Sequence, residues 1–405
     1  MKNFSEKARA YALKNAISYN GKAKQGSVIS SLFNEGLKKE EIGKYNKQIS
    51  MIVNEVNKLS PEEQEKQFEH LRDIISERHG REGLPELPEA KKGKVIMRFA
   101  PSPSGPLHAG HALTSCISFL LVKKYGGKFY VRIEDTNPEN IYKPAYKMIK
   151  EESKWLFQNF PDLEIIIQSE RMDIYYRYAE QLVKKGAAYI CTCSSEKFKN
   201  FSELKENCPC RNNDAKENLY RWKKMLDKTK NGYDEGDAVL RFKTKEGMQH
   251  KNPAMRDFPL ARINKTPHPL QKTKYKVWPL MNLAVAADDI EQKMTHIVRA
   301  KDHRDNAKRQ EMIYLALNKK FPWTAFVGRW HFKDFELSSS KMREDIEKGK
   351  YSGWDDKRLP TIASLKKQGY RPEAFWKLAE QIGFSENDKV IDRKEFFKLL
   401  DTFNR

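Results

Sequence analysis

The sequence lacks long apolar runs, and this excludes two classes of protein. No stretch of its 405 residues approaches the length and apolar content of a membrane-spanning helix. The N-terminus, MKNFSEKARAYALKNAISYNGKAK, has no apolar core of the kind that a secretory signal peptide carries. We therefore expect a cytoplasmic protein with no membrane partner.

Cysteine is scarce, because the chain has only five, and four of them lie in one short segment. Secreted proteins held together by disulfides carry more cysteine for their length, so this pattern indicates a reduced protein. Internal repeats and low-complexity tracts are also absent. Hydrophobic residues make up 39% of the chain, which is enough for ordinary cores, and the length allows about three domains.

Acidic residues are fewer than basic ones, 55 against 76, and the formal charge is +21. An excess of this size favours a polyanionic partner such as nucleic acid, bound in a salt-sensitive way. The alternative is a lysine-rich surface that only keeps the protein soluble.

Changes in composition divide the chain into segments. The N-terminal part is rich in Lys, Glu, Ala and Leu with helical spacing, and HGREGLPELPEAKKGK (79–94) has the Gly, Pro and charge of a linker. The predicted segments are a helical N-terminal module (1–78), a linker (79–93), the first half of an α/β domain (94–190), a polar insertion (191–270), the second half of that domain (271–336) and a helical, basic C-terminal segment (337–405). Residues 143–187 are predicted to be helical, and residues 275–286 and 295–300 to be strands.

The α/β assignment rests on a βαβ unit. KVIM (94–97) is typical of a short buried strand, and FYVRI (129–133) is typical of a second one. The helix between them places its apolar residues on one stripe: Leu113, Cys116, Ile117, Leu120 and Leu121. Cys116 is thus predicted to be a core residue. The first turn of such a unit, from strand to helix, is where phosphates are bound.

That turn carries the motif RFAPSPSGPLHAGHALTS (98–115), with two histidines separated by a glycine-containing step. His108 and His111, with Gly110 between them, open a helix whose N-terminus attracts anions. Two imidazoles there can hydrogen-bond a triphosphate and stabilise the charge that develops as an α-phosphorus is attacked. The alternative is a pair of surface histidines in a turn.

A second motif, FELSSSKMRED (335–345), is a polar loop that ends in Lys341 and Arg343. Its hydroxyls and cations suit a phosphate clamp. On its own it is more often a solvated loop, so its interpretation depends on the first motif.

Together the two motifs resemble the signatures of the class I aminoacyl-tRNA synthetases, His-Ile-Gly-His and Lys-Met-Ser-Lys-Ser. Within that class the chain resembles the glutamyl-tRNA synthetases of the archaeal and eukaryotic type. The segments that carry the resemblance are RFAPSPSGPLHAGHA (98–112), RIEDTNP (132–138), NPAMRDFPLARI (252–263), THIVRAKDH (295–303), LSSSKMR (337–343) and YSGWDDKRLPTIASLKKQGYRPEA (351–374).

The resemblance implies a Rossmann-like catalytic domain that is split by an insertion binding the tRNA acceptor stem. It implies ATP-dependent attachment of glutamate to its tRNA through a glutamyl-adenylate. ATP is then a substrate, Mg²⁺ is an expected metal ion, and tRNA and glutamate are the partners of an expected monomer.

The resemblance also assigns candidate site residues. The catalytic candidates, which also contact ATP, are His108, His111 and Lys341. Two further ATP contacts are Gly110 and Ser338. The candidates for binding the amino acid are Arg98, Ser102, Glu134, Met281 and Arg299. An arginine near the side-chain carboxylate, the role implied for Arg299, would prefer glutamate over neutral glutamine. The alternative for Arg98 and Glu134 is a strand-edge ion pair.

Two positions depart from the family pattern. Met281 stands where the family usually has the tyrosine of Pro-Leu-Tyr-Asn, so a hydroxyl that would hydrogen-bond the substrate is missing. Ser339 stands where the second signature usually has a lysine. Because the archaeal pattern commonly reads Leu-Ser-Thr-Ser-Lys, Lys341 is the candidate for the phosphate contact.

The clustered cysteines form two close pairs, Cys191 with Cys193 and Cys208 with Cys210. Four thiolates suit a closed tetrahedral Zn²⁺ site, which would staple a small insertion that lacks its own core. The alternative is four reduced thiols. Similar cysteine pairs occur in archaeal relatives of the family.

The C-terminal segment interleaves cations with a helix that starts after a proline. Its candidate tRNA-backbone contacts are Lys357, Arg358, Lys366 and Lys367. A solvated helix face is the alternative. The archaeal-type enzymes continue with β-barrels that read the anticodon, and these are missing here, so the chain is either a fragment or works without them.

Three other functions remain open at this point. The first is a glutaminyl-tRNA synthetase, against which Arg299 argues. The second is a glutamyl-transferring paralogue that modifies a tRNA base and lacks an anticodon domain. The third is an inactive tRNA-binding module, an alternative that Met281 favours and the intact histidine pair disfavours.

Overall fold

The structure is a computed structural model that describes residues 3–19, 21–75 and 83–404. The backbone separates into two compact units, Met1–Gly80 and Arg81–Arg405. Residues 79–82 of the expected linker lie outside the described part of the chain. Among the residues that are described, no helix has the length and apolar character needed to cross a membrane.

The described residues of the first unit are helical. The helices are α1 (Phe4–Ser18), α2 (Gln25–Leu32), α3 (Ile42–Val56) and α4 (Pro61–Leu71). Helix α4 begins at a capping box, in which the Ser60 hydroxyl accepts from the N–H of Glu63 and the Glu63 carboxylate accepts from the N–H of Ser60. Aliphatic side chains from α1, α2 and α3 form the core of this unit, Leu13, Leu32 and Val56 among them.

The second unit contains helices and strands in alternation. Its strands are β1 (Val95–Phe99), β2 (Gly127–Ile133), β3 (Leu163–Ile167), β4 (Ala188–Cys191), β5 (Val239–Phe242), β6 (Pro259–Ile263), β7 (Val277–Pro279), β8 (His296–Ala300), β9 (Trp323–Val327), β10 (Trp330–Phe332) and β11 (Lys389–Ile391). Its helices are α5 (Ala109–Tyr125), α6 (Ala145–Leu156), α7 (Met172–Lys184), α8 (Ser195–Leu204), α9 (Ala215–Leu226), α10 (Met281–Glu291), α11 (Arg304–Ala316), α12 (Ser339–Glu347), α13 (Ile362–Lys367), α14 (Pro372–Ile382) and α15 (Arg393–Phe403).

The central sheet is parallel. Strands β1, β2 and β3 pair in that order, and β8 pairs with β9. The two parts meet where β8 runs beside β1, because the N–H of Thr295 donates to the carbonyl of Ile96 at 3.0 Å. The predicted βαβ unit is β1, α5 and β2, and Cys116 is fully buried in its core. The expected α/β class is confirmed.

The start of β2 requires a glycine. A Cβ atom at Gly127 would lie 2.0 Å from the carbonyl oxygen of Val95 on the neighbouring strand, and the φ angle there is +134°. Both the close approach and the backbone conformation exclude other residues. Helix α5 thus ends at Tyr125, Gly126 follows it, and β2 begins at the next residue, Gly127.

A separate antiparallel sheet, in the order β4-β5-β6-β7, interrupts the parallel architecture. Its outer strands, Ala188–Cys191 and Val277–Pro279, reach beyond the predicted insertion of residues 191–270 at both ends. The polar composition that marked the insertion belongs to its loops and helices, whereas these outer strands are buried and apolar.

Three predictions of local structure were wrong. Residues 143–187 are not continuously helical, because Leu163–Ile167 is strand β3, whose isoleucines favour a strand. Residues 275–286 are a strand only at Val277–Pro279, and α10 follows from Met281. That helix is buried at nearly every position, so its sequence has no amphipathic period to identify it. The C-terminal segment also contains a strand, β11, which pairs with β10.

Candidate functional site

A cavity of about 1020 Å³ opens at the carboxyl ends of β1 and β8. Ligands of open α/β sheets bind at this edge. All five amino-acid candidates line it, namely Arg98, Ser102, Glu134, Met281 and Arg299. The signature residues His108, Gly110, His111 and Ser338 line it as well. Residues that lie up to 240 positions apart in the sequence are therefore gathered around one space.

The two signature histidines stack on each other, with ring centroids 3.6 Å apart and planes inclined by 19°. His108 is the N-cap of α5, and its Nδ1 accepts from the N–H of His111 at 3.4 Å. Since Nδ1 is an acceptor, a neutral His108 carries its proton on Nε2. The buried Nδ1 of His111 has no hydrogen-bond partner in the described part of the chain.

Both imidazoles are neutral at ordinary pH. Burial lowers the pKa of His111 to about 4. Burial, and to a lesser extent the neighbouring charge of His111, lowers the pKa of His108 well below its usual value. The pair therefore carries no net charge and offers hydrogen-bonding groups next to the N-terminus of α5.

The backbone around His108 is held from the C-terminal side of the chain. The N–H of Ala109 donates to the carbonyl of Pro360, and the N–H of Ile362 donates to the carbonyl of Leu107, both at 2.9 Å. His108 and Thr361 thus form an antiparallel bridge. The signature turn and the start of α13 are one hydrogen-bonded structure.

Arg98 does not present a free fork to the cavity. Its Nε donates to Oδ1 of Asp289 at 2.6 Å, and its Nη2 donates to Oδ2 at 3.0 Å. Arg132 donates to the same Oδ1, also at 2.6 Å. Although burial opposes it, the charges of Arg98 and Arg132 hold the pKa of Asp289 below its usual value. Only Nη1 of Arg98 lacks a protein partner among the described residues, because Nε and Nη2 both grip Asp289.

Glu134 follows a similar pattern, since its Oε1 lies 3.2 Å from Nη2 of Arg132. The ion pair that was the alternative for this residue therefore exists, and Glu134 also lines the cavity. Both hydrogen bonds from Arg132 go to Oε1, so Oε2 is left without a hydrogen-bond donor among the described residues.

Arg299 differs from Arg98 because no carboxylate touches it among the described residues. Its Nη1 donates to Oε1 of Gln310 at 2.8 Å, and its buried Nε has no partner. Burial, then the charge of Arg98, lowers the pKa of Arg299 to about 10, so the group stays cationic at neutral pH. A buried cation without an anion is costly, and an arriving carboxylate would relieve that cost.

The second signature reaches the cavity only in part. Ser338 lines it and caps α12, with its hydroxyl accepting from the N–H of Lys341 at 3.3 Å. Ser339 is buried against Gly105, where an added Cβ would lie 2.8 Å from the Ser339 Cβ. The Lys341 ammonium lies outside the lining, 3.1 Å from Glu344 and 3.3 Å from Asp345 on its own helix.

The four clustered cysteines are brought together as expected from their spacing. Their sulfur atoms all lie within 4.8 Å of one another. The Sγ atoms of Cys191 and Cys208 are 3.8 Å apart, and those of Cys193 and Cys210 are also 3.8 Å apart. In a tetrahedral zinc site with Zn–S bonds of about 2.3 Å, neighbouring sulfurs lie about 3.8 Å apart. The donor set and its spacing fit Zn²⁺.

The candidate tRNA contacts are exposed at and near α13, and most have protein partners. Arg358 pairs with Asp356 at 2.6 Å, and Lys367 pairs with Asp355, also at 2.6 Å. Lys366 lies over the ring of Trp155, 5.9 Å from its centroid. The Lys367–Asp355 pair is exposed on both sides, so it contributes little to stability and can exchange for a phosphate contact. Asp356 is buried and holds Arg358 through both Nε and Nη2.

Sequence reasoning missed the groups behind the cavity wall. Asp289 contacts Arg98 and Gln310 contacts Arg299, while Arg132 contacts both Asp289 and Glu134. None of the three was named as a candidate from the sequence. One signal was present for Asp289, because the Asp-Asp pair that follows NLAVAA (282–287) puts two carboxylates on a buried helix. Buried carboxylates need cationic partners.

The sequence is similar to proteins of one family. The family model described as tRNA synthetases class I (E and Q), catalytic domain, matches residues 94–402. The glutamate–tRNA ligase of Methanothermobacter marburgensis is 42% identical over 392 residues, which cover 96% of this chain and 69% of the relative. The glutamate–tRNA ligase of Pyrococcus horikoshii is 44% identical over 400 residues, which cover 95% of this chain and 68% of the relative.

A solved structure shares the fold. It is the crystal structure of a glutamate tRNA ligase from Elizabethkingia meningosepticum in complex with its amino acid. The TM-score is 0.50 at 22% sequence identity, and the match covers 76% of this chain and 68% of that chain. At this identity the likeness concerns the architecture alone.

Proposed function

Because this chain belongs to the class I tRNA synthetases for glutamate and glutamine, we propose that the cavity at the ends of β1 and β8 is its active site. The function is ATP-dependent ligation of glutamate to tRNA, as in the glutamate–tRNA ligases that are 40–44% identical over most of the chain. The observation that carries the assignment of the site is one cavity that holds a neutral histidine pair and an arginine for which the described residues supply no carboxylate partner.

In the proposed reaction a carboxylate oxygen of glutamate attacks the α-phosphorus of ATP. The bond to the β-phosphate breaks, pyrophosphate leaves, and glutamyl-adenylate forms. His108 and His111 lie at the N-terminus of α5, where neutral N–H donors can stabilise the added negative charge on the phosphoryl oxygens. Gly110 lets the helix start approach the nucleotide, and Ser338 and Lys341 act from the second signature. The phosphates of ATP would supply oxygen ligands for Mg²⁺, which would help neutralise their charge.

Glutamate is positioned by the other wall of the cavity. Arg299 receives the side-chain carboxylate, while Nη1 of Arg98, Ser102 and Glu134 handle the other polar groups of the amino acid. Transfer follows when a hydroxyl of the terminal ribose of tRNA attacks the adenylate carbonyl and AMP leaves. In this proposal the tRNA backbone is held by Lys357, Arg358, Lys366 and Lys367. The bridge between His108 and Thr361, which joins this segment to the histidine turn, supports a tRNA position next to the chemistry. The protein works where tRNA is charged, in the cytoplasm.

The cysteine cluster holds one Zn²⁺ ion in this proposal. The ligands are Cys191, Cys193, Cys208 and Cys210. The separations of 3.8 Å from Cys191 to Cys208 and from Cys193 to Cys210 support this. A closed set of four thiolates leaves no open coordination position, so the ion is structural. It ties the end of β4 to the loop before α9.

Pyrophosphate exchange tests the function. Purified protein, ATP and labelled pyrophosphate are combined with glutamate or with glutamine, in the presence and absence of tRNA. We expect exchange with glutamate when tRNA is present and little exchange with glutamine. Exchange with glutamine alone would instead identify a glutaminyl-tRNA synthetase. Absence of exchange under every condition, together with tight tRNA binding, would identify an inactive tRNA-binding module.

A further inference from the structure

We propose that Gln310 sets the preference of the site for an anionic side chain, because it positions Arg299 without neutralising it. The inference rests on the proposed function, since it concerns which amino acid the cavity accepts. Gln310 is fully buried on α11 and does not line the cavity, so it acts through Arg299 and is a positioning residue.

The orientation of the Gln310 amide is set from both sides. Arg299 has only donors, so the amide oxygen must face it, and the Nη1–Oε1 distance is 2.8 Å. On the other side, the amide Nε2 of Gln310 donates to Oδ1 of Asn282 at 3.4 Å. Asn282 lies next to Met281 in the first turn of α10, so the chain of contacts starts at the cavity wall.

The contrast with Arg98 shows what a neutral partner does. Arg98 and Arg132 meet a carboxylate, Asp289, which balances charge inside the protein. Arg299 meets an amide, which fixes the direction of the guanidinium but supplies no negative charge. Its Nε stays buried and unpartnered. The charges nearest to it include the cations Arg98 and Arg132 as well as Asp289 and Glu134, and the net effect, with burial, lowers its pKa.

The missing negative charge is therefore one that a substrate can bring. A glutamate carboxylate supplies it, whereas the neutral side-chain amide of glutamine does not. The nearby His303 does not offer the substrate carboxylate a second positive charge. Burial first, then the charges of Arg299 and Arg98, lowers its pKa to about 4, so it is neutral. Discrimination between the two amino acids then depends on Gln310 remaining uncharged.

The test is a pair of nearly isosteric substitutions. Gln310→Glu keeps an acceptor at Arg299 and adds the negative charge, whereas Gln310→Met removes the acceptor and adds none. Steady-state pyrophosphate exchange with tRNA present gives kcat and KM for glutamate and for glutamine. We expect Gln310→Glu to raise the KM for glutamate about tenfold or more, to change kcat less, and to lower the glutamate-to-glutamine ratio of kcat/KM about tenfold or more. Gln310→Met should change that ratio much less.

A buried carboxylate can disturb folding, so a second charged variant is included. Asn282→Asp places a negative charge one side chain further from Arg299 and should lower the same ratio in the same direction, by a smaller factor. Melting temperature identifies any variant that does not fold. The inference is overturned if the ratio is unchanged in the folded charged variants, or if Gln310→Met lowers it as much as Gln310→Glu. Wild-type protein that exchanges with neither amino acid overturns the proposed function, and this inference with it.

Discussion

The buried carboxylate of Glu152 on α6 accepts a hydrogen bond from the N–H of Leu107, with an N–O distance of 2.7 Å. Leu107 directly precedes His108, so this contact supports the turn that carries the histidine pair. The N–H of Ala363, in the first turn of α13, also acts on the carboxylate and lowers its pKa. One acidic side chain thus connects three separate parts of the chain behind the cavity.

Burial raises the pKa of Glu152 to about 8, against the opposing effect of the Leu107 and Ala363 N–H groups. The folded protein therefore holds a proton that the unfolded chain releases near pH 4.5, and stability falls as pH rises between about 4.5 and 8. Glu152→Gln keeps an acceptor and cannot ionise. We expect its melting temperature to match the wild type near pH 4 and to exceed it near pH 8.5. Glu151→Gln, on the exposed face of α6, is the matched control, and an identical pH slope for Glu152→Gln and wild type would contradict the prediction.

The stacked histidines should be needed for chemistry more than for folding. Replacing His108 or His111 with Ala removes a donor at the start of α5, and we expect the rate of pyrophosphate exchange to fall by about 10² or more. The exposed His70→Ala should have the wild-type rate. Near-wild-type exchange in both signature variants, with folding unchanged, would remove these residues from the mechanism.

How much of the fold and of the candidate site could be predicted depends on the sequence separation of the residues in contact. The strands β1 and β2, the capping position of His108 and the gathering of four cysteines follow from local spacing, which short segments of sequence contain. The partner of Arg98 does not, because Asp289 lies 191 residues away and only the packing of α10 against the sheet brings it there. Gln310 and Glu152 belong to no motif. Each is a buried helix residue, and its contact partner lies on a different element of the fold.

The errors in secondary structure have a related cause. Strand β3 was predicted to be helix because it lies between two amphipathic helices. Helix α10 was predicted to be strand because burial on all sides removes its amphipathic period.

The contacts of Lys341 also could not be predicted from the spacing of the motif. The motif places it near the cavity, yet its ammonium pairs with Glu344 and Asp345 on its own helix.

Zinc should bind at about one equivalent per chain when the protein is purified without added metal. Cys208→Ser should lose the metal and destabilise the insertion, because its antiparallel sheet and its loops are joined there. Cys116→Ala, which removes a buried thiol of α5 outside the cluster, should keep the full equivalent. A metal-free protein in chelator-free buffer whose insertion is normally folded would rule the site out.

Lys341 is held by Glu344 and Asp345, and an arriving triphosphate competes with these carboxylates for its ammonium. Lys341→Ala should therefore raise the KM for ATP and lower kcat, with little change in the KM for glutamate. Lys348→Ala is the control, since Lys348 is exposed on the same face and also pairs with Glu344. If both variants change kcat and the KM for ATP equally, the change comes from the loss of one positive charge on α12. Lys341 would then make no specific contact with phosphate.

Met281 is the position where this chain departs from the tyrosine of its family, and the structure places it at the cavity. It is the first residue of α10 and is 39% exposed. Trp278 does not take over the missing hydroxyl, because it is buried away from the lining, stacked on His268 with ring centroids 4.9 Å apart. At this position the site therefore has the apolar volume and polarisable sulfur of methionine, and it lacks the hydroxyl donor of a tyrosine.

Two variants that differ by one hydroxyl isolate its effect. Met281→Tyr adds the ring and the donor, and Met281→Phe adds the ring alone. A hydrogen bond to a charged group contributes about 1.5–3 kcal/mol, so Met281→Tyr should lower the KM for glutamate about tenfold or more relative to Met281→Phe. The KM for glutamine should fall less, because its neutral amide is the weaker acceptor. Steady-state charging of both amino acids measures the difference. An equal or higher glutamate KM in Met281→Tyr than in Met281→Phe would mean that Met281 is ordinary packing at the rim and that the ring overfills the space.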